Sequence, residues 1–458
     1  MGKLPLGIKG LDELFLGGLI EGHSLLIEGA PGTGKTTLGL QFVYHGASEL
    51  DEPGIIVTFE QFPEQLYRDA AQFGWDLRAL EDEDKLRVIS TSPEVFNEQI
   101  QEPGGMLDVV MDEIGARRIL VDSVTHFERL ELETVRLREI MNSFLNGFKK
   151  RNLTAFLTKE LSLEHDSPIS FEAYTADAVL VVSYDPSPKR MRRQRCVEIV
   201  KTRGQEHISG KHPLDFSDSG LVVYPNPQPP REEIIGNPLE RVSTGCAGLD
   251  EMLGGGLIQG FCGLVSGSPG AGKSSLGLQF LHEGVQQEES CLFVSLDERL
   301  YKIFQMAEGF GYLRDFIKSE KFRVLAAPSA DLNVNRLFWE IQDSVRELEI
   351  KRVVVDGLNV IEANTASPTE LRNWIYSLVS TFEQQGITSI LTHENFGGED
   401  RGYELAGMAI DTILEMRLVE EQGVIKRQLS IPKMRTSAAD MRVRQFEIRN
   451  EGVRILPA

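Results

Sequence analysis

Gly29-Ala30-Pro31-Gly32-Thr33-Gly34-Lys35-Thr36-Thr37 is matched further along the chain by Gly267-Ser268-Pro269-Gly270-Ala271-Gly272-Lys273-Ser274-Ser275. Each stretch reads as a glycine, four free positions, then Gly-Lys-Ser/Thr. In that pattern successive backbone N–H groups wrap a phosphate, and the helix that follows turns its positive end toward it. Glycine matters because the backbone must approach phosphate oxygen with no Cβ in the way. The two loops therefore read as two nucleotide-phosphate sites.

The flanks support this. Ser24-Leu25-Leu26-Ile27-Glu28 and Cys262-Gly263-Leu264-Val265-Ser266 read as buried strands leading into the loops. Thr37-Leu38-Gly39-Leu40-Gln41-Phe42-Val43 and Ser275-Leu276-Gly277-Leu278-Gln279-Phe280-Leu281 carry helical apolar spacing after them. The repeat also extends upstream: Gly10-Leu11-Asp12-Glu13 is echoed by Gly248-Leu249-Asp250-Glu251. A period this long is a duplicated domain and not a solenoid repeat. The expected layout is a first domain over 1–224, a Pro-rich linker over 225–240 and a second domain over 241–458. Strands alternating with helix-length segments predict α/β architecture in each half, with a mainly parallel sheet covered by helices.

Two acidic positions per half stand where such a sheet places its ligand. Ile55-Ile56-Val57-Thr58-Phe59-Glu60-Gln61 and Leu292-Phe293-Val294-Ser295-Leu296-Asp297-Glu298 are apolar strands ending in acid, so their carboxylates face the mouth of the sheet. Glu60, and Asp297 with Glu298, could take a proton from a water aimed at the terminal phosphate. Capping of the next helix is the plainer alternative; the match between halves favours the catalytic one. Arg118-Ile119-Leu120-Val121-Asp122 and Arg352-Val353-Val354-Val355-Asp356 end in the carboxylate expected to orient Mg²⁺ with the loop hydroxyls of Thr36 and Ser274. Alone, such a strand would be ordinary core; downstream of a phosphate loop in both halves it reads as a site.

Composition sets limits. With 48 Lys+Arg against 69 Asp+Glu the formal charge is −21, which argues against sequence-independent nucleic-acid binding. Cys196, Cys246, Cys262 and Cys291 lack metal or redox spacing and read as reduced, packed thiols. Neither a secretory leader nor a membrane-length apolar run is visible, so the expectation is a cytoplasmic protein away from membranes.

The basic run Lys189-Arg190-Met191-Arg192-Arg193-Gln194-Arg195 suits either a hairpin tip or a nucleic-acid-contacting loop, and the tip is favoured. Lys201-Thr202-Arg203 and Lys433-Met434-Arg435 place two cations on one strand face. They could act as fingers on a neighbouring subunit's phosphates or form a solvated edge, and both readings stand.

With these residues in place the chain resembles the KaiC family of RecA-like ATPases over nearly its whole length. The features that carry it are the double Gly-Leu-Asp-Glu lead-in, both phosphate loops, Phe59-Glu60, Phe73-Gly74-Trp75-Asp76-Leu77, Asp122-Ser123, and Lys201-Thr202-Arg203-Gly204 with His207 and Gly210-Lys211-His212-Pro213. The resemblance implies two tandem RecA-like P-loop domains in a double-ring homo-hexamer with Mg²⁺ and ATP between subunits. It further implies ATP hydrolysis in the first domain, Ser/Thr autophosphorylation in the second in clock members, and a KaiB-like protein as partner. Carried over residue by residue, Lys201, Arg203, His207, Lys433 and Arg435 would act across the interface, and Asp122 and Asp356 beside the nucleotide.

There are departures. The paired acids of clock members are both Glu, whereas Gln61 is second in the first half and Asp297 is first in the second. At the family's phosphorylated Ser and Thr stand Gly407 and Met408; Thr412 and Ser437 are nearby hydroxyls that nothing marks as substitutes. The chain stops at Ile455-Leu456-Pro457-Ala458, so the tail that engages KaiA in clock members is expected to be missing. Two other classes stay open: a RecA- or DnaB-like DNA motor, and a scaffold that binds ATP to hold a hexamer together.

Overall fold

A computed structural model describes residues 2–102, 104–129, 134–161, 173, 175–185, 193–229, 240–309, 311–327, 332–395, 409–435 and 439–457. The chain forms two compact units, the first closing at Asn226 and the second running from Pro227 to the C-terminus. Most of the basic run after Tyr184, most of the Pro-rich linker, the Gly407-Met408 pair and Ser437 lie outside the described residues.

In the first unit β1 (Lys3–Leu4) and β2 (Leu19–Ile20) make a short antiparallel ribbon. The main sheet contains β3 (Ser24–Gly29), β4 (Gly54–Thr58), β5 (Leu86–Ser90), β6 (Arg118–Asp122), β7 (Thr154–Glu160), β8 (Ala178–Tyr184), β9 (Arg195–Thr202), β10 (Lys211–Ser217) and β11 (Gly220–Val223). Its order is β5-β4-β6-β7-β3-β8-β9-β10-β11, parallel through β8 and antiparallel beyond. Strands such as β3 and β4 are buried along their whole length, which is why they read as unbroken apolar runs. Successive side chains still divide between two layers. Leu25, Ile27, Ile56 and Leu120 enter one core, and Leu26, Ile55, Val57 and Val121 enter the other.

The second unit repeats the plan. A ribbon of β12 (Arg241–Val242) and β13 (Leu257–Ile258) precedes β14 (Cys262–Gly267), β15 (Cys291–Ser295), β16 (Phe322–Ala326), β17 (Arg352–Asp356), β18 (Thr388–Glu394), β19 (Thr412–Glu421), β20 (Val424–Met434), β21 (Arg444–Arg449) and β22 (Gly452–Ile455). Their order, β16-β15-β17-β18-β14-β19-β20-β21-β22, is that of the first sheet element for element. The predicted α/β fold is therefore present twice, as two nine-stranded, mostly parallel sheets flanked by helices. β19 and β20 close through Gln422-Gly423, both at positive φ (55° and 78°), the two-residue hairpin turn that twisted strands prefer.

The recurrent lead-in has a structural purpose. Asp12 accepts from the N–H groups of Leu6 (2.6 Å) and Gly7 (3.1 Å). Asp250 likewise takes the Thr244 N–H at 2.8 Å and the Ser243 hydroxyl at 2.6 Å. The helix after each loop then lies close against the sheet: a Cβ on Gly39 would come within 2.3 Å of Leu120, and one on Gly277 within 2.9 Å of Val354. Beneath it Arg118, fully buried, donates to Phe42 O (2.8 Å) and Pro5 O (2.9 Å) and pairs with Glu52. Arg352 does the same with Phe280 O (3.1 Å), Ser243 O (2.7 Å) and Glu289. Each arginine thus ties strand, phosphate-loop helix and lead-in together.

All four cysteines are free and buried. Among the described residues no helix is long and apolar enough to cross a membrane.

Candidate active sites

β3 ends at Gly29, where a Cβ would fall 2.4 Å from Val182 O on β8, so the loop can leave the sheet there only through glycine. The helix Lys35–Glu49 begins after Gly34 at φ 109°, a left-handed conformation. The loop is held from several sides. Thr33 donates its hydroxyl to Ala30 O (2.8 Å), Tyr184 donates to Gly32 O (3.1 Å), and Arg195 reaches the same carbonyl at 3.4 Å. Lys35 is buried, with Nζ 3.1 Å from Ala30 O; burial lowers its pKa, and the charges of Glu160 and Asp122 oppose that shift. A cavity of about 330 Å³ opens here, lined by Lys35, Thr36, Glu60, Asp122, His126 and Phe216 among others.

Sheet order explains how the distant pieces meet. β7 lies between β3 and β6, so its end faces both the loop and the end of β6. Asp122 consequently accepts from two hydroxyls: Thr36 on one oxygen at 2.9 Å and Thr158, from β7, on the other. In the second unit Asp356 takes Ser274 at 2.7 Å and Thr392 at 2.5 Å. Burial raises the pKa of Asp356, and these two hydrogen bonds pull it back. A loop hydroxyl beside a carboxylate matches what Mg²⁺ uses when phosphates and waters complete its shell. Among the described residues no cluster of three or more Asp, Glu, His or Cys is arranged to hold a metal ion.

The acids after β4 and β15 sit in matching turns. Thr58 Oγ1 accepts the Gln61 N–H at 3.1 Å, and Ser295 Oγ accepts the Glu298 N–H at 3.3 Å. Glu60 is largely exposed, its carboxylate 3.2 Å from His126 Nε2. Gln61 buries its amide oxygen with no hydrogen-bond partner among the described residues. Asp297 is exposed as well, but lies so close to the end of β17 that a Cβ on Gly357 would come within 2.6 Å of its carboxylate. Burial, then the charges of Asp356 and Glu394, push its pKa up to about 6. Glu298 instead pairs with Lys302 at 2.9 Å, one turn along the next helix, so of the two acids Asp297 is the one beside the Asp356 carboxylate. Lys273 donates to Gly267 O and Ser268 O, each at 3.1 Å, and stands 3.4 Å from Glu394 at the end of β18.

The finger candidates are elsewhere. Lys201 pairs in register with Val179 near the start of β8, whereas Gly29 is level with Val182 near its end. At about 3.3 Å per residue that is roughly 10 Å along the strand, at the sheet's other end. Lys201 Nζ donates to Ala173 O and Ala176 O (both 2.6 Å), Arg203 reaches Thr175 O at 3.4 Å, and His207 Nδ1 is 2.9 Å from the Thr202 hydroxyl. Lys433 Nζ donates to Ile410 O at 2.7 Å, and Arg435 is 3.6 Å from Asp411. These cations therefore sit away from their own unit's phosphate loop.

Several residues escaped the sequence reading. Arg195 and Arg427 each touch a phosphate-loop carbonyl, Gly32 O and Gly270 O, both at 3.4 Å. Thr158 and Thr392 each follow their strand-end aspartate by 36 positions, and that shared spacing was the available signal. His126 had no counterpart to announce it.

Comparison with known proteins agrees with this duplicated geometry. A family model described as "ATPase: KaiC" matches residues 4–228 and again 242–458. The chain belongs to the KaiC ATPase family. Its relatives include the circadian clock oscillator protein KaiC of Thermosynechococcus vestitus, 31% identical over 471 residues that span 99% of this chain and 89% of the relative. The KaiC of Synechococcus elongatus is 29% identical over 468 residues, covering 98% and 88%. That of Prochlorococcus marinus strain MED4 is 29% identical over 469 residues, covering 99% and 90%. This is thus a KaiC-like protein with two tandem ATPase-family domains.

Proposed function

We propose that both units bind Mg-ATP and hydrolyse it, and that the chain works as a signalling ATPase of the clock type. The observation that carries this reading is the repeated set of a phosphate loop, a hydroxyl–carboxylate pair (Thr36–Asp122, Ser274–Asp356) and an acid at the end of the neighbouring strand. In each unit the loop N–H groups and Lys35 or Lys273 hold the phosphates, and the hydroxyl and Asp122 or Asp356 would hold Mg²⁺, which screens charge as it develops on the terminal phosphate. Glu60 and Asp297 orient the attacking water and take its proton while the water oxygen bonds to phosphorus and the bond to ADP breaks.

Lys201, Arg203, Lys433 and Arg435, with His207, would complete the site of a neighbouring copy, which calls for a ring of subunits. Their position at the opposite end of each sheet supports that assignment. We take residues 1–224 and 241–458 as the two domains, 225–240 as the linker, the cytoplasm as the location and a KaiB-like protein as the partner class. Transfer to water is favoured over autophosphorylation in the second unit, because Gly407 and Met408 offer no hydroxyl.

The test is ATP turnover by the purified chain, with native mass measured on the same sample and the terminal phosphate radiolabelled. Hydrolysis by an oligomer that falls with Glu60→Gln and leaves protein unlabelled supports the reading. Stable label on protein, lost with Asp297→Asn, would make the second unit a kinase. Turnover indifferent to both substitutions would leave a nucleotide-held scaffold, and stimulation by single-stranded DNA would favour a DNA motor.

A further inference from the structure

The base assigned to the first site is exposed, its side chain 62% accessible. A free glutamate samples many rotamers, whereas proton transfer needs it within about 3 Å of the water and correctly aimed. One neighbour removes that freedom. After Asp122 the chain enters the short 3₁₀ segment Val124–Arg129, and His126 is anchored there by its N–H on Ser123 O at 3.3 Å. Its ring meets Phe59 edge-on at 6.1 Å, and Phe59 itself packs against Phe96 and Phe127. The side chain is only 11% exposed, and Nε2 stands 3.2 Å from Glu60 Oε1. No other hydrogen bond or ion pair to that carboxylate forms among the described residues.

We infer that His126 is a positioning residue for Glu60: its Nε2–H donates to the carboxylate and fixes it over the phosphate loop. The inference rests on the reading of Glu60 as the base. It belongs to the first site alone, because Val360 stands at the corresponding place four positions after Asp356 and has nothing to donate. Asp297 is shorter, and its carboxylate lies against Gly357.

The experiment uses the full chain carrying Asp297→Asn and Glu298→Gln, so that turnover reports the first site. Onto it are placed His126→Ala, His126→Gln, Glu60→Gln, and Glu60→Gln with His126→Ala. kcat, the KM for ATP and binding of a fluorescent ATP analogue are measured for each. His126→Ala should lower kcat roughly 10- to 100-fold with KM within about twofold. His126→Gln, which keeps a donor, should recover most of the loss. His126→Ala should cost nothing further where Glu60 is already Gln. Unchanged kcat in His126→Ala overturns the inference, as does a loss shared with analogue binding that Gln fails to rescue. If Glu60→Gln itself leaves turnover intact, the base assignment fails first and the inference goes with it.

Discussion

The two loops sit in sheets of identical strand order, yet the acids proposed as their bases are held by different means. Glu60 reaches out from the end of β4 and leans on a histidine; Asp297 is one methylene shorter and crowded by the charges of Asp356 and Glu394. Their phosphate lysines differ as well. Lys273 is shared between two loop carbonyls and the Glu394 carboxylate, while Lys35 donates to Ala30 O. The fold thus fixes where an acid sits, and side chains beyond the motif fix its reach, its charge and its competitors. Two copies of one motif need not turn over at one rate.

The sharpest way to break this comparison is to remove each base separately. Glu60→Gln, in a chain whose second site carries Asp297→Asn, should lower the remaining hydrolysis by about 10²- to 10⁴-fold. The reverse pairing should expose the second site's own contribution. Equal residual rates in both pairings would show that the differences in partners and nearby charge have no catalytic consequence.

Stability should respond almost as strongly, but equally in the two halves. Arg118→Ala leaves Glu52 and two backbone carbonyls without their buried donor, and Arg352→Ala does the same to Glu289, Ser243 and Phe280. Breaking a buried pair from one side costs about 3–5 kcal/mol. Denaturant unfolding of each variant should show a loss of that size in its own unit; a loss in only one would show that the two cores differ where the geometry says they match.

A smaller effect is expected at the hydroxyls behind the metal pair. Thr158→Val or Thr392→Val frees one oxygen of Asp122 or Asp356 without touching the loop. Such supporting bonds commonly tune metal affinity by 10- to 100-fold, so the Mg²⁺ concentration for half-maximal turnover should rise about tenfold in the altered site. An unchanged Mg²⁺ requirement would mean that Thr36 and Ser274 orient the carboxylates unaided.

How much of this was legible follows from how each residue enters its site. The loops, Glu60, Asp122 and their partners are local: a strand, a turn and the start of a helix suffice to aim them, and period and apolar runs reveal those. Thr158 enters because β7 lies between β3 and β6, Arg195 because β9 folds back on β8, and His126 meets Glu60 because β6 lies beside β4, adjacencies that no nearby sequence records. Glu298 shows the opposite limit. It has the right chemistry at the right distance from the loop, but the turn made by Ser295 directs it to Lys302. Each Lys–Arg finger pair was legible as two cations on one face, and only the registers of β8 with β9 and of β19 with β20 placed Lys201 and Lys433 at the far end of their sheets.

The mildest prediction concerns that far end. Lys149 pairs with Asp177 at 2.8 Å in the first unit, and although burial pushes the Asp177 carboxyl up, the hydrogen bonds from Lys149 and Ser24 hold it low. In the second unit the equivalent position, five residues before the next strand, is Glu383, beside Asp411. Burial, then the charge of Asp411, raise Glu383 to about 7, and Arg435 opposes the shift. A carboxylate whose folded pKa is raised holds its proton longer when folded than when unfolded. Its contribution is therefore present below the unfolded value of 4.5 and is lost as pH rises toward 7. Glu383→Lys would install the first unit's pair. It should stabilise the second unit near pH 8 by on the order of 1 kcal/mol, allowing for solvent screening of a half-exposed group. It should also flatten the decline in stability between about pH 5 and 7. Parallel urea titrations across that range would read both effects, and curves that keep their slope in the variant would place the proton on another group.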